Sequence, residues 1–160
     1  MIYPQIDAPL GTNHGIASLA GVLHANDHEL DLMHVSEKYK PVPSSEEIIE
    51  YIRETKPGLL GFSVMSQQME WVEEKSKDIR KVMPELVQVI GGVHCTMVPD
   101  EVHKSKMFDY VCVGEGDWAL LELMDSLEKG ETPHTLANFR SWMGGVPVSN
   151  PVAPFPDLDK

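Results

Sequence analysis

The chain has 160 residues, of which 42% are apolar and 24% are charged, a balance typical of one soluble globular domain. Its net charge of −12 argues against nucleic acid or an anionic membrane as a partner, since binding phosphates requires an excess of Lys and Arg. No apolar run approaches the roughly 20 residues that span a bilayer, and the first residues do not resemble a signal peptide, so we expect a cytoplasmic protein.

Short apolar runs that predict strands alternate along the chain with segments whose apolar residues recur at helical spacing. In chain order, the strands fall at about 2–6, 28–35, 59–64, 86–91 and 108–113, and the helices at about 15–25, 44–56, 67–82, 98–102 and 117–129. Ser44 or Ser45 is a suitable N-cap for the second helix, and Asp117 for the last one. Residues 139–142 and 146–149, which flank a Gly-Gly pair, predict a β-hairpin.

This order of elements predicts an α/β fold, a doubly wound five-stranded parallel sheet with a C-terminal β-hairpin. The flavodoxin-like (Rossmann-like) strand order 2-1-3-4-5 is the usual solution at this size. We expect residues 1–135 to form the α/β domain and residues 136–160 to form the hairpin and a proline-containing linker.

Glycines and small hydroxyl residues cluster after four of the predicted strands, and in a parallel sheet those strand ends meet at one edge. Structural turns would explain any single cluster, but four together favour a groove that admits a bulky ligand against the backbone. The residues that we single out at this edge are Gly15, Ser63, Val64, Met65, Gly91, Gly92, His94, Gly114, Glu115 and Gly116.

Three ligand classes of doubly wound folds can be compared with these loops. A phosphoacceptor receiver needs an Asp after the third strand and a Lys after the fifth, but residues 63–65 and 114–115 contain neither. A dinucleotide site needs G-x-G-x-x-G at the first helix, which residues 11–15 do not supply. A flavodoxin needs a hydroxyl-rich loop there. Thr12 is the only hydroxyl residue, so support for FMN or another nucleotide is weak, but this alternative stays open.

A fourth class is indicated by the triplet Ser63-Val64-Met65 and by Gly91-Gly92, with 25 residues between them. A Ser-x-Leu-like triplet and a later Gly-Gly pair, each after a strand, are the pattern of cobalamin-binding domains. The chain resembles in particular the N-terminal cobalamin-binding domain of cobalamin-dependent radical SAM proteins, the Fe–S oxidoreductases similar to anaerobic magnesium-protoporphyrin IX monomethyl ester cyclase. The matching segments are residues 15–23, 61–65, 91–94, 99–101, 109–111, 113–117 and 157–159.

The resemblance implies that the corrin of cobalamin lies across the carboxyl edge of the sheet and that its nucleotide tail enters a slot beside the sheet. A side chain at Gly91 or Gly92 would then obstruct the tail. Ser63 would hydrogen-bond a polar atom of the tail that is costly to bury unpaired. His94 would contact the cofactor or a neighbouring domain, or it would cap the next turn. For Glu115, we favour a polar contact to one of the same two partners over a solvated loop.

The classical cobalamin domains carry Asp-x-His-x-x-Gly after the first strand, and its His ligates cobalt from below. This chain lacks that motif, because Pro9 stands where the His would follow Asp7. If cobalamin binds, it would be held base-off, with the lower cobalt position open or water-bound. His14 is the only candidate substitute, and we favour a helix-start residue over a cobalt ligand for it.

By the same resemblance, the chain is a cobalamin-binding module of a radical SAM Fe–S oxidoreductase or methyltransferase, without a complete active site of its own. A [4Fe-4S] cluster and S-adenosylmethionine would belong to a radical SAM domain after Lys160, toward which residues 136–160 would lead. A cofactor-free scaffold or interaction domain of the same fold remains an alternative.

The remaining notable side chains are expected to be structural. Cys95 and Cys112 are too few to hold an iron–sulfur cluster, and we expect two small buried thiols at strand ends, not a disulfide. Trp71 and Trp118 are expected to pack helices onto the sheet. Five histidines are expected at the surface: His24, His28, His34, His103 and His134.

Overall fold

The computed structural model describes residues 1–8, 11 and 13–154, so Pro9, Thr12 and the segment 157–159 lie outside the described residues. The strands are β1 (Ile2–Pro4), β2 (Met33–Val35), β3 (Leu59–Ser63), β4 (Val87–Gly91), β5 (Tyr110–Cys112), β6 (Phe139–Met143) and β7 (Val146–Ser149). The helices are α1 (His14–Ala25), α2 (Ser45–Thr55), α3 (Met69–Val82), α4 (Val93–Met97), α5 (Pro99–Lys104) and α6 (Asp117–Glu128). A 3-10 turn, Ser66–Gln68, leads directly into α3.

The strands form one sheet in the order β2-β1-β3-β4-β5-β6-β7. The first five strands are parallel to one another, which confirms the predicted order 2-1-3-4-5. The predicted hairpin is also present, and its strand β6 runs antiparallel to β5, with Arg140 opposite Val111. The sheet therefore continues across the boundary predicted between residues 135 and 136.

Helices cover both faces of the sheet, and each face has its own apolar core. One core lies under α2 to α5 and contains Ile90 and Val111, and the other lies under α1 and α6 and contains Val89 and Tyr110. Successive residues of β4 and β5 enter different cores because side chains alternate across a strand. A sheet buried on both faces explains the near-continuous apolar runs of these strands. Within the described ranges, no helix has both the length and the apolar content needed to cross a bilayer.

Two predictions about α6 are wrong. Trp118 does not pack the helix onto the sheet, because its side chain is 57% exposed, whereas Trp71 on α3 is partly buried against the core as expected. The N-cap of α6 is Gly116, and Asp117 is the first residue of the helix. The Asp117 carboxylate instead accepts a hydrogen bond from the Ser18 hydroxyl on α1, at 2.8 Å.

Two histidines that we expected at the surface are buried and hydrogen-bonded. His28 Nε2 lies 2.9 Å from a carboxylate oxygen of Asp125, and His103 Nε2 lies 2.8 Å from the backbone carbonyl oxygen of Ser141. Both partners are distant in sequence, so the local pattern around each histidine carries no sign of the bond. His103 thereby connects α5 to the hairpin.

The loops after β3 and β4 are pressed against each other at the carboxyl edge. Val64 N–H donates to the Gly91 carbonyl oxygen at 3.0 Å, and His94 N–H donates to the Val64 carbonyl oxygen at 3.2 Å. Gly92, which lies between these bonds, has φ +99° and ψ −174°, a region that is essentially restricted to glycine. A β-carbon added at Gly92 would lie 2.7 Å from both Val64 N and Val64 O. The fold itself therefore requires a glycine at position 92.

We expect Gly92→Ala to destabilise the folded chain by about 2 kcal/mol or more, because the methyl group adds a backbone clash to an unfavourable φ. Gly21→Ala is the matched control, since a β-carbon there meets no atom within 4 Å on the exposed side of α1. It should be neutral or stabilising by about 0.5–1 kcal/mol. Urea unfolding followed by circular dichroism measures both. An unchanged midpoint for Gly92→Ala would contradict the close contact.

Candidate functional site

The structure brings the predicted site residues to one edge of the sheet. Ser63 ends β3 and Gly91 ends β4, and these two residues are register partners. Residues 114–116 connect β5 to α6, and Gly15 lies in the first turn of α1. The contact between Ser18 and Asp117 brings the start of α1 to the start of α6. Residues far apart in sequence thus form one surface, as expected for the ends of parallel strands.

The three residues of the Ser63-Val64-Met65 triplet have different environments. Val64 is only 2% exposed, and its N–H and carbonyl are both bonded to the loop after β4. Met65 N–H donates to Gln68 Oε1 at 3.2 Å. Ser63 is half-buried, and its hydroxyl has no hydrogen-bond partner among the residues that the structure describes. Of this triplet, Ser63 is therefore the residue with a side-chain polar group available for a ligand.

Gln68 is a buried polar residue that the sequence-based interpretation missed. Its amide oxygen accepts from Met65 N–H, and its amide nitrogen donates to the Ile6 carbonyl oxygen at 3.0 Å. It therefore joins the loop after β3 to the loop after β1. The sequence predicts the start of a long helix at this residue, and a glutamine there is ordinary. Its role depends on contacts with the loops after β1 and β3, which the local sequence does not show.

Thr96 connects the loops after β4 and β5. Its hydroxyl donates to the Gly92 carbonyl oxygen at 3.3 Å and accepts from Gly114 N–H at 3.1 Å. Beyond Gly114, the Glu115 carbonyl oxygen accepts from the side-chain amide of Asn138 at 2.6 Å. The side chain of Glu115 itself is exposed. Asn138 is a second buried polar residue outside the predicted site set.

Gly116 differs from Gly92 because the fold does not require it. Its φ is −95°, which any residue adopts, and an added β-carbon would lie 3.7 Å from Leu19 Cδ1 and 3.8 Å from Cys112 Sγ. These are ordinary van der Waals distances, so there is room for a methyl group between α1, β5 and the start of α6. Gly91 is tighter, with a β-carbon 3.3 Å from Cys112 Cβ.

The two histidines near the edge, His94 and His14, have different environments. His94, on α4, is half-buried, and its Nδ1 shares a hydrogen bond of 3.0 Å with the Ser66 hydroxyl. His14 is exposed and is the first residue of α1. Among the described residues, no three His, Cys, Asp or Glu side chains come together in a way that could hold a metal ion.

Both cysteines lie under this edge as free thiols. Cys112 ends β5, and Cys95 lies in α4, so only one of them is at a strand end. Burial raises the pKa of the Cys95 thiol and of the Cys112 thiol to about 12. Each thiol is therefore neutral near pH 7, which fits a packing role. Their predicted packing role is confirmed.

Apolar side chains are exposed around the edge. The two on α4 are Val93 and Met97, the latter 73% exposed. Trp118 and Val152 are also exposed. A cavity of about 430 Å³ and another of about 340 Å³ are both lined by other residues, the first around the amino ends of β1 and β3 and the second beside the hairpin. Neither contains a predicted site residue.

Comparison with solved structures supports the fold. The chain matches a radical S-adenosylmethionine methyltransferase, TsrM from Kitasatospora setae, with a TM-score of 0.79 and 17% identity over 94% of this chain and 29% of that one. It also matches the cobalamin-dependent S-adenosylmethionine radical enzyme OxsB, with bound aqua-cobalamin, with a TM-score of 0.75 and 15% identity over 96% of this chain and 22% of that one. At such identities these likenesses establish the fold alone.

Sequence comparison finds relatives of which this chain spans about a fifth to a quarter. It is 28% identical over 116 residues to anaerobic magnesium-protoporphyrin IX monomethyl ester cyclase of Rubrivivax gelatinosus, covering 72% of this chain and 20% of that protein. It is 29% identical over 139 residues to cytidylyl-2-hydroxyethylphosphonate methyltransferase of Streptomyces wedmorensis, covering 78% of this chain and 25% of that protein.

The model of the B12 binding domain matches residues 8–124, most of the chain. That range contains the glycines and Ser63 of the carboxyl edge described above. The resemblance inferred from the sequence motifs is thereby confirmed, and the chain belongs to the B12-binding domain family.

Proposed function

We propose that this chain binds cobalamin base-off at the carboxyl edge of its sheet and serves as the cobalamin module of a radical SAM Fe–S oxidoreductase or methyltransferase. Besides the family match, the observation that carries the proposal is the hydroxyl of Ser63 at the end of β3, which has no hydrogen-bond partner among the described residues. Gly116 adds a position between Leu19 and Cys112 where the fold accepts a β-carbon at ordinary contact distances. We place the nucleotide tail beside this glycine, at the edge where doubly wound folds bind ligands.

The residues at this edge fit the chemistry of cobalamin. The hydroxyl of Ser63, which lacks a described protein partner, would bond a polar atom of the tail, and burial makes such a bond valuable. The exposed apolar side chains of Val93, Met97 and Trp118 would cover part of the corrin face or of the neighbouring domain. Gly15, Gly91, Gly114 and the side chains of His94 and Glu115 would line the same surface.

Gly92 has a different role in this proposal from the one expected from sequence. Its β-carbon would meet Val64, a residue of the chain itself, so an intramolecular contact already explains the glycine. Gly92 and Val64 would therefore shape the edge by holding the two loops together. A substitution at Gly92 would disturb the fold as well as any binding, so a loss of binding in such a variant would not identify the tail slot.

The parent protein would carry out the chemistry. Cobalamin would supply a methyl carrier or a redox partner, and the present residues would bind and orient it. A [4Fe-4S] cluster and S-adenosylmethionine would belong to a downstream radical SAM domain, since the chain spans only about a fifth to a quarter of its curated relatives. The two buried free thiols fit the reducing cytoplasm expected for such a protein.

We expect the purified chain to retain hydroxocobalamin through desalting and to give the visible spectrum of the base-off form. His14→Ala should leave that spectrum unchanged, because the lower cobalt position would be open or water-bound. Absorption spectra before and after desalting measure both. A base-on spectrum would contradict the binding mode, and a shift caused by His14→Ala would identify that imidazole as a cobalt ligand. No retention would favour a cofactor-free scaffold, with FMN tested in parallel.

Gly116→Ala should weaken cobalamin binding about tenfold or more, because the methyl group fills the space proposed for the tail. Its midpoint of thermal unfolding should stay within a few degrees of the unsubstituted chain, since the added atom makes ordinary contacts. Gly21→Ala is the control for the added methyl group. Affinity is measured by spectroscopic titration, and unchanged affinity in Gly116→Ala would exclude the slot at this position.

Ser63→Ala should also weaken binding, by about tenfold, because a buried polar atom of the tail would lose its hydrogen bond. Its effect on the free energy of unfolding should be small, since the hydroxyl has no described protein partner to leave unpaired. Ser126→Ala removes a hydroxyl that bonds the Glu122 carbonyl on α6 and serves as the control. Equal affinities of the two variants would show that Ser63 does not contact the tail.

A further inference from the structure

The chain that leaves the hairpin runs back over the carboxyl edge. We call residues 150–154 the exit segment, because they follow β7 and lead out of the domain. Asn138 holds this segment at two points. Its backbone N–H donates to the Pro151 carbonyl oxygen at 3.0 Å, and its side-chain oxygen accepts from Ala153 N–H at 2.6 Å.

Asn138 holds the loop between β5 and α6 with its remaining groups. Its side-chain nitrogen donates to the Glu115 carbonyl oxygen at 2.6 Å, and its backbone carbonyl accepts from Val113 N–H at 2.7 Å. The residue is 4% exposed and has φ +67°, a left-handed conformation that Asn tolerates better than most residues. One buried side chain thus bridges the loop and the exit segment, and all its polar atoms are used.

A second contact joins the same two pieces of chain. A β-carbon added at Gly114, which has φ +82°, would lie 3.0 Å from Cγ1 of Val152, so the exit segment passes directly over this glycine. Gly114 N–H in turn donates to the Thr96 hydroxyl, which bonds the Gly92 carbonyl oxygen. A continuous series of contacts therefore runs from the exit segment into the loops of the proposed cofactor site.

We propose that Asn138 couples the exit segment to the 114–116 loop, so that cobalamin at the edge and the position of the chain beyond residue 154 influence each other. Asn138 would be a positioning residue that needs no contact with cobalamin. The coupling is reciprocal by thermodynamic necessity: a cofactor that orders the loop stabilises the exit segment, and a downstream domain that fixes the exit segment strengthens cofactor binding. The cobalamin part of this inference rests on the proposed function.

Asn150, the first residue of the exit segment, supplies a matched control. It is also partly buried, and its side-chain nitrogen donates two hydrogen bonds of 2.9 Å, to the carbonyl oxygens of His134 and Leu136. None of its side-chain bonds reaches the 114–116 loop. Asn138→Gly is the informative variant, because glycine adopts φ +67° without strain, so only the side-chain bonds are lost.

The first experiment measures amide hydrogen exchange in the 160-residue chain without cofactor. Asn138→Gly should speed exchange by about tenfold or more at both Ala153 N–H and Gly114 N–H, the two sides of the bridge. Asn150→Ala, which releases the exit segment from residues 134 and 136 and not from the 114–116 loop, should leave exchange at Gly114 N–H unchanged. Faster exchange at Ala153 alone in Asn138→Gly, with Gly114 unchanged, would overturn the coupling, and so would equal effects of the two variants at Gly114.

The second experiment repeats the measurement with hydroxocobalamin. The cofactor should slow exchange at Ala153 several-fold in the unsubstituted chain and in Asn150→Ala, but not in Asn138→Gly. If the unsubstituted chain retains cobalamin and Ala153 exchange does not respond, the coupling is wrong and the proposed function stands. If the chain retains no cobalamin, the proposed function and its link to the exit segment both fail. The cofactor-free experiment then still decides whether Asn138 bridges the two segments.

Discussion

The loops after β3 and β4 lie against each other because residue 92 has no side chain. Val64 N–H donates to the Gly91 carbonyl oxygen and His94 N–H donates to the Val64 carbonyl oxygen across this contact, and the conformation of Gly92 is one that other residues avoid. The contact fixes the path of the chain after Ser63, at the end of β3, and the start of α4 after β4. The positions of the neighbouring loops at the carboxyl edge depend on it.

Three polar side chains extend the contact to the neighbouring loops. Gln68 reaches the loop after β1, Thr96 reaches the loop after β5, and Asn138 reaches the exit segment. Each satisfies backbone groups at strand ends, where the sheet no longer supplies partners and an unpaired buried group would be costly. The edge is therefore a connected polar framework, in which the Ser63 hydroxyl has no hydrogen-bond partner among the described residues.

Much of the architecture could be predicted, because short-range periodicity distinguishes strands from helices. The strands, the helices and the hairpin follow from local patterns, and the parallel order 2-1-3-4-5 is the usual solution for that alternation. The sequence offered Ser44 or Ser45 as the N-cap of α2, and the structure selects Ser44, with a reciprocal bond to Glu47. The predictions for Trp118, His28 and His103 were wrong because burial depends on which distant element packs nearby. Asn138 was missed for the same reason, since its partners lie 15 and 23 residues away.

The sequence by itself determined the alternation of strands and helices, the glycines at the strand ends and the resemblance to cobalamin domains, all properties of spacing along the chain. Only the tertiary structure decided what each glycine is for. A β-carbon at Gly92 would clash with Val64 and one at Gly114 would press on Val152, whereas one at Gly116 would make only ordinary contacts. That difference depends on how closely separate loops approach one another, and the packing of the whole sheet and its helices sets those distances.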